Sequence, residues 1–292
     1  MLLKDKNIVI TGSGRGIGKS IALASAKEGA NIGLTSRSLS ELEQVKNKIK
    51  KINPNLKVSI KVGDVTKYSE LKEVFDFFHK ELGNFNGVIA NAGASGRYDT
   101  DQFTSEKFSL ILDVNILGVF HTFKAAYPYF EVKNKKDKAR FIITGSAAYP
   151  TAMPKLAAYT ASKYGVVGFQ KALAMEYRKE NINFTMVLPT MVDTRLLRGE
   201  KAGTGETPPG VMTSQELDDY YLFLLSKKAN RVNDELIYTL RFEQLKPIIR
   251  ETVKDKKESW DIFGEYLKEN NPSIYDNVKS HHRLVEFFLH RL

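Results

Sequence analysis

The sequence predicts an α/β chain built on a doubly wound parallel sheet of about seven strands, with helices on both faces. Three observations predict it. Short apolar runs bounded by turn residues alternate with longer segments of helical period from Asn7 to Tyr238. The first run opens into a glycine-rich turn, Thr11-Gly12-Ser13-Gly14-Arg15-Gly16-Ile17-Gly18, and a helical segment follows at once. Residues able to do chemistry stand where apolar runs end, the edge at which parallel α/β sheets keep their sites.

The first strand is Asn7 to Ile10. The helix after the turn carries Ile21, Leu23, Ala24 and Ala26 and stops at Gly29. Strand, glycine turn and helix start together form an anion site. The glycines let backbone approach a pyrophosphate, and the helix start offers free N–H groups and positive dipole. The second strand, Asn31 to Thr35, ends in Ser36-Arg37-Ser38. Dinucleotide enzymes often carry an acid at this point to bind the adenosine ribose diol. No acid ends this strand. A guanidinium pairs with a 2′-phosphate where a carboxylate repels it, so Arg37, reinforced by Arg15, favours NADP(H) over NAD(H). The alternative is that Arg37 simply points to water.

Ser38 and Glu41 read as a capping box opening the next helix, Leu39 to about Ile52, which Asn53-Pro54-Asn55 breaks. A third strand, Lys57 to Val62, leads to Asp64-Val65. A helix ending at Gly83 then puts Leu71, Val74, Phe75 and Phe78 on one face. The fourth strand, Gly87 to Ala90, opens into Asn91-Ala92-Gly93. A helix from about Ser105 to Tyr127 presents Asn115. The fifth strand, Phe141 to Ile143, ends in Thr144-Gly145-Ser146, followed by a loop with Pro150 and Pro154.

The next helix, running to about Lys179, carries Tyr159 and Lys163. At i and i+4 they share one face, one turn apart. A free phenol, with a pKa of about 10, is a poor acid–base group at neutral pH. A neighbouring ammonium favours the phenolate and is expected to lower that value. The sixth strand, Asn183 to Leu188, enters Pro189-Thr190-Met191-Val192-Asp193-Thr194. Residues 195–213, with Gly203, Gly205, Pro208, Pro209 and Gly210, read as a long loop of the kind that serves as a lid. A helix from about Ser214, with Leu217, Tyr221, Leu224 and Leu225, and a strand from Glu235 to Tyr238 complete the set.

Ser146, Tyr159 and Lys163, taken with the T-G-x-x-x-G-x-G spacing of Thr11, Gly12, Gly16 and Gly18, resemble the short-chain dehydrogenase/reductase superfamily. The resemblance covers roughly residues 5–240 and implies a Rossmann-type catalytic domain over 1–240. It also implies hydride transfer between a nicotinamide and a carbonyl or secondary alcohol. Tyr159 is then the acid/base. Lys163 lowers its pKa and binds the nicotinamide ribose, Ser146 holds the substrate oxygen, and Asn115 kinks its helix and carries a relay water. The resemblance further implies cofactor contacts at Ser13, Ile17 and Ser36, at Asp64 and Val65 on the adenine edge, and at Asn91, Ala92 and Gly93. Pro189, Thr190, Val192 and Thr194 follow beside the nicotinamide. Ala90 stands where the family often has Asn, and Thr190 where it usually has Gly, which bears on that loop's geometry. Homodimers or homotetramers through the helices carrying Asn115 and Tyr159 are a further implication.

Ala147, Ala148, Tyr149 and Met153, with the 195–213 loop, are expected to line the substrate pocket. That lining suits a ketone, an acyl chain or a steroid-like compound, with 3-oxoacyl thioester reduction as the single choice. Two rivals stand beside this reading: an epimerase or dehydratase with tightly held NAD, and a non-enzymatic nucleotide-binding scaffold. Arg37 weighs against the first and the full Asn115, Ser146, Tyr159, Lys163 set against the second.

Composition bounds the rest. Hydrophobic content of 42% with 11% aromatics in 292 residues supports a packed core. With no cysteine there is no disulfide framework and no thiolate metal site. No signal-peptide form is seen, and no apolar run approaches the ~20 residues of a membrane span, so a soluble cytoplasmic protein is expected. The net charge of +10 is spread over solvated faces, with lysines thickening at 46–51 and 133–138, and no stacking or zinc pattern turns it toward nucleic acid. The 241–292 segment holds ten Lys/Arg against nine Asp/Glu. Its apolar stripes, such as Trp260, Phe263, Tyr266 and Leu267, predict a helical extension packed on the domain, over the pocket or on a partner subunit.

Overall fold

The computed structural model describes residues 1–134, 136–149, 151–239 and 268–269. The expected extension over 241–292 lies almost wholly outside the described residues. The chain runs β1 (Asn7–Thr11), α1 (Gly16–Lys27), β2 (Asn31–Ser36), α2 (Leu39–Ile52), β3 (Val58–Val62), α3 (Tyr68–Leu82) and β4 (Gly87–Ala90). It continues α4 (Ser105–Leu112), α5 (Gly118–Ala126), β5 (Ala139–Thr144), α6 (Ala157–Glu176), β6 (Ile182–Leu188), α7 (Arg195–Arg198), α8 (Asp218–Leu225) and β7 (Glu235–Tyr238). The strands form one sheet in the order β3-β2-β1-β4-β5-β6-β7, and all pairs are parallel. The order reverses between β1 and β4, which opens a crevice at their carboxyl ends.

Period-two alternation drives the layering. In β1, Ile8 and Ile10 join one core with α1, α2 and α8, while Val9 joins the other with α3, α5 and α6. In β5, Ile142 faces the first core and Phe141 and Ile143 the second. Arg140 of the same strand is fully buried at the opposite edge from the crevice. Its guanidinium donates to Leu224 O at 2.9 Å, Ser226 O at 3.1 Å and Asn230 Oδ1 at 2.6 Å. Asp137 lies between Arg140 (3.4 Å) and Lys6 (2.7 Å), and Lys6 also donates to Leu225 O at 2.8 Å. These bonds tie the end of α8 to the sheet. Burial draws Arg140 down to about 10 and Lys6 below the usual lysine range, with Asp137 opposing both shifts.

Four local expectations are corrected. The helix predicted over Ser105–Tyr127 is broken by a π-turn at Asp113–Leu117, centred on Asn115, between α4 and α5. The next long helix ends at Glu176, not Lys179. The 195–213 segment begins with the short α7 rather than loop throughout. The capping box is half formed: Ser38 Oγ accepts from Glu41 N at 3.4 Å, but Ser38 N donates to Ser36 Oγ, leaving the Glu41 carboxylate free to turn elsewhere.

One apolar run does reach spanning length. The helical stretch Ser105–Tyr129, 25 residues long, holds an 18-residue window of mean hydropathy 1.3, enough by length and composition alone to cross a membrane. Part of it packs against α3 and α6, and 44% of that window is buried.

Candidate active site

The crevice is laced by Asn91. Its amide donates to Thr11 O at 3.1 Å and Gly12 O at 3.2 Å, while Thr11 Oγ1 accepts from Asn91 N and Ala92 N. The close approach explains the glycines. Gly12 sits at φ +64°, where a Cβ would meet the Ala92 backbone at 2.8 Å, and a Cβ at Gly18 would stand 2.5 Å from Gly12 O. Arg15 at the N-cap of α1 brings no side-chain acceptor to the first-turn N–H groups, which are therefore suited to a phosphate. The cradle fits a dinucleotide pyrophosphate. Ser13 is buried, with both N–H and hydroxyl donating to Thr35 O at 3.2 Å, and Ile17 packs on the first core, so both brace the turn.

The ends of β2 and β3 lie on the other side of the glycine turn. Arg37 is exposed beyond Ser36. Asp64 Oδ1 accepts from Thr66 N at 2.9 Å and Thr66 Oγ1 at 2.8 Å. Burial alone would raise the Asp64 carboxyl, but the Thr66 hydrogen bonds and the Arg37 charge hold it below the usual range. Val65 O meets His121 Nδ1 at 2.9 Å, joining this loop to α5. Glu41 is the residue that sequence reasoning missed here. Its carboxylate lies 3.4 Å from Arg15 and 3.7 Å from Arg195, over the glycine turn. The capping-box pattern had assigned that side chain to the helix start.

At the other end, β5 delivers Ser146 and α6 delivers Tyr159 and Lys163. Ser146 faces the Tyr159 phenol closely enough to oppose the rise of its pKa. Lys163 Nζ donates to Thr144 O at 3.2 Å and stands 5.3 Å from the Tyr159 ring centroid. Asn115, buried in the π-turn, accepts from Ala94 N at 2.8 Å and donates to Ala94 O and Ser162 Oγ, each at 2.9 Å. Ser162 Oγ in turn donates to Tyr159 O at 2.7 Å. Gly93, in the same loop, faces Asn115 Oδ1. The π-turn, the loop after β4 and the helix carrying Tyr159 are thereby held together.

Electrostatics here correct one expectation. The phenol is not lowered in this arrangement. Burial pushes Tyr159 above the usual tyrosine value, with Ser146 opposing, and burial lowers Lys163 to about 8. A second missed residue acts nearby. The fully buried Tyr221 of α8 lies 2.8 Å from Thr144 Oγ1, which donates to Asn91 Oδ1 at 3.2 Å. Its place in an apolar helical stripe gave no sign of this reach.

Around the mouth, Ala148 is buried, with its N–H donating to Ser146 Oγ at 3.1 Å, and Met153 is exposed. Tyr149 stacks edge-on against Tyr164 at 4.8 Å and packs on the second core, so its ring is a wall element. Ala147 N donates to Pro189 O at 2.8 Å. Thr190, in place of glycine, is not among the residues of positive φ, so its side chain costs no backbone strain. Its N–H donates to Thr239 Oγ1 at 3.3 Å. Val192 bridges to Met212, and Thr194 packs against Gly16, closing the base of the 195–213 segment onto the turn. Among the described residues no cluster of His, Asp and Glu is placed to hold a metal.

A glycine-turn cradle beside a Ser, Tyr, Lys and Asn group at a parallel sheet's carboxyl edge defines a nicotinamide-dependent oxidoreductase site. The chain belongs to the short chain dehydrogenase family, whose model matches residues 6–204. It is an oxidoreductase acting on CH–OH donors with NAD(H) or NADP(H). It is 28% identical over 249 residues to the D-beta-hydroxybutyrate dehydrogenase of Cupriavidus necator, covering 79% of this chain and 95% of that protein. An uncharacterized oxidoreductase of Listeria monocytogenes, Lmo0432, is 32% identical over 216 residues, covering 73% and 84%. Among solved structures, the alcohol dehydrogenase of the archaeon Thermococcus sibiricus complexed with 5-hydroxy-NADP superposes with a TM-score of 0.72. It is 26% identical, covering 80% of this chain and 95% of that one.

Proposed function

We propose that the protein is an NADP(H)-linked enzyme that interconverts a ketone, or the 3-oxo group of an acyl thioester, with the secondary alcohol, Tyr159 serving as acid and base. The observation that carries this reading is the meeting of Ser146, Tyr159 and Lys163 beside the glycine-turn cradle. When bound, the nicotinamide supplies or accepts the hydride. The chain's own residues handle the oxygen. In reduction Tyr159 Oη gives its proton to the forming alkoxide, and Ser146 Oγ hydrogen-bonds the same oxygen. A raised Tyr159 pKa keeps the phenol in this proton-donating form at neutral pH. The Lys163 ammonium, beside the ring, stabilises the phenolate left behind. Asn115 holds the loop after β4 against this helix, fixing the depth at which a substrate meets Tyr159.

Arg37 and Arg15 support the NADP(H) preference. Ala148, Met153 and the wall built by Tyr149 support an apolar substrate. The Cupriavidus necator relative is named for a β-hydroxy acid, the oxidation level a 3-oxoacyl group reaches on reduction. A cytoplasmic homodimer or homotetramer, with residues 1–240 as the catalytic domain and 241–292 as a helical extension, completes the proposal. Oxidation of NADPH and NADH by the purified protein over a panel of ketones and 3-oxoacyl thioesters tests it. Faster turnover with NADPH on a 3-oxo compound is expected. Turnover confined to NADH, or to highly charged sugars, would contradict it.

A further inference from the structure

We propose that Glu41 tunes cofactor choice: its carboxylate holds Arg15 at the adenosine ribose corner, favours a free ribose diol, and weakens selection for the 2′-phosphate. The inference rests on the cofactor orientation assumed in the proposed function. The sequence shows no acid at the end of β2, yet the fold brings one there from the first turn of α2. The capping geometry explains why. Because Ser38 N donates to Ser36 Oγ at 3.4 Å, the Glu41 carboxylate is not needed at the helix start. It turns over Gly14 instead. A Cβ at Gly14 would stand 2.9 Å from Glu41 Oε2 and 3.1 Å from Ser36 Oγ, so carboxylate and hydroxyl converge on one point beside the glycine turn.

That point is where a doubly wound fold receives the adenosine ribose, an acid binding the 2′-OH and an arginine accommodating a 2′-phosphate. This chain presents both. Glu41 Oε1 is 3.4 Å from Arg15 Nη1 and 3.7 Å from Arg195 Nη1. The pairs are open to solvent, with side-chain exposures of 26% for Glu41, 53% for Arg15 and 46% for Arg195. Exposed pairs of this kind are weak and readily exchanged, which marks a ligand-replaceable clamp and not a structural staple. A 2′-phosphate must draw Arg15 away from Glu41 and lie near a like charge. A ribose diol keeps the pair and gains an acceptor. Arg195, which opens α7, is a second exposed partner of the same carboxylate and also pairs with Glu200 at 3.3 Å.

The test uses the full chain and equilibrium binding, free of turnover. Dissociation constants for NADPH, NADH and 2′,5′-ADP are measured by fluorescence titration or dialysis for wild type, Glu41→Gln and Glu41→Lys. Expected is tighter NADPH and 2′,5′-ADP binding in Glu41→Gln with NADH unchanged or weaker. The NADPH-over-NADH ratio should rise about fivefold or more, and further in Glu41→Lys. A ratio that stays constant, or moves toward NADH, in both folded variants overturns the proposal. The wild-type ratio is a separate readout. A wild type that prefers NADH sinks the NADP(H) reading, while a ratio that still rises on removing the acid supports the role of Glu41.

Discussion

At the residue scale the decisive groups are those whose charge the fold has moved. Lys163 is buried against Thr144 O and the Tyr159 ring, and its pKa is lowered to about 8. Below that value the lysine is cationic and supports a phenolate on Tyr159; above it the support is lost. Reductive turnover at saturating substrate is therefore expected to hold level from pH 6 to 7 and to fall as pH rises through about 8. A profile flat to pH 10 would show that the Lys163 charge is not needed. Tyr159 and Lys163 were legible in the sequence because i and i+4 on a helix after a strand end is a local pattern. The sign of the phenol's shift was not. Spacing gives proximity, whereas the shift depends on how deeply both groups are buried. Glu41 and Tyr221 escaped notice for a related reason, since each acts on a partner far along the chain and sits in a pattern, capping box or apolar stripe, with an ordinary local explanation.

Elements position these residues. Strand bounds were readable to within a residue or two because short apolar runs bounded by turn residues leave little freedom. The π-turn at Asp113–Leu117 was not readable as such; the resemblance implied only a kink at Asn115. It exists because Asn115 bonds Ala94 and Ser162 at once, a tertiary demand on a helix whose local propensity is continuous. At the opposite edge, Lys6, Asp137 and Arg140 secure α8 to the sheet. Asp137→Asn leaves two buried cations without their counter-ion, and removing one partner of such a group costs about 3–5 kcal/mol. The variant should unfold at markedly lower urea with its secondary structure otherwise native. A midpoint equal to wild type would mean that the carbonyl acceptors alone satisfy Lys6 and Arg140.

Across the whole molecule, one sheet reversal places the glycine turn, the ends of β2 and β3, and the Ser146, Tyr159 and Lys163 group along one edge of the sheet. The two cores hold it from opposite sides: α1 and α8 back the glycine turn, and α5 and α6 back the phenol. Thr194 packs against Gly16, which sets the base of the 195–213 segment beside the glycine turn. The central claim is that Tyr159 transfers the proton while the rest of the crevice binds. Its most direct test is Tyr159→Phe, measured side by side for cofactor affinity and for turnover on the best carbonyl substrate. The account predicts a dissociation constant within about twofold of wild type and a loss of turnover of at least ~10²-fold, the usual size of a general-acid contribution. Turnover near the wild-type rate in that variant would contradict it.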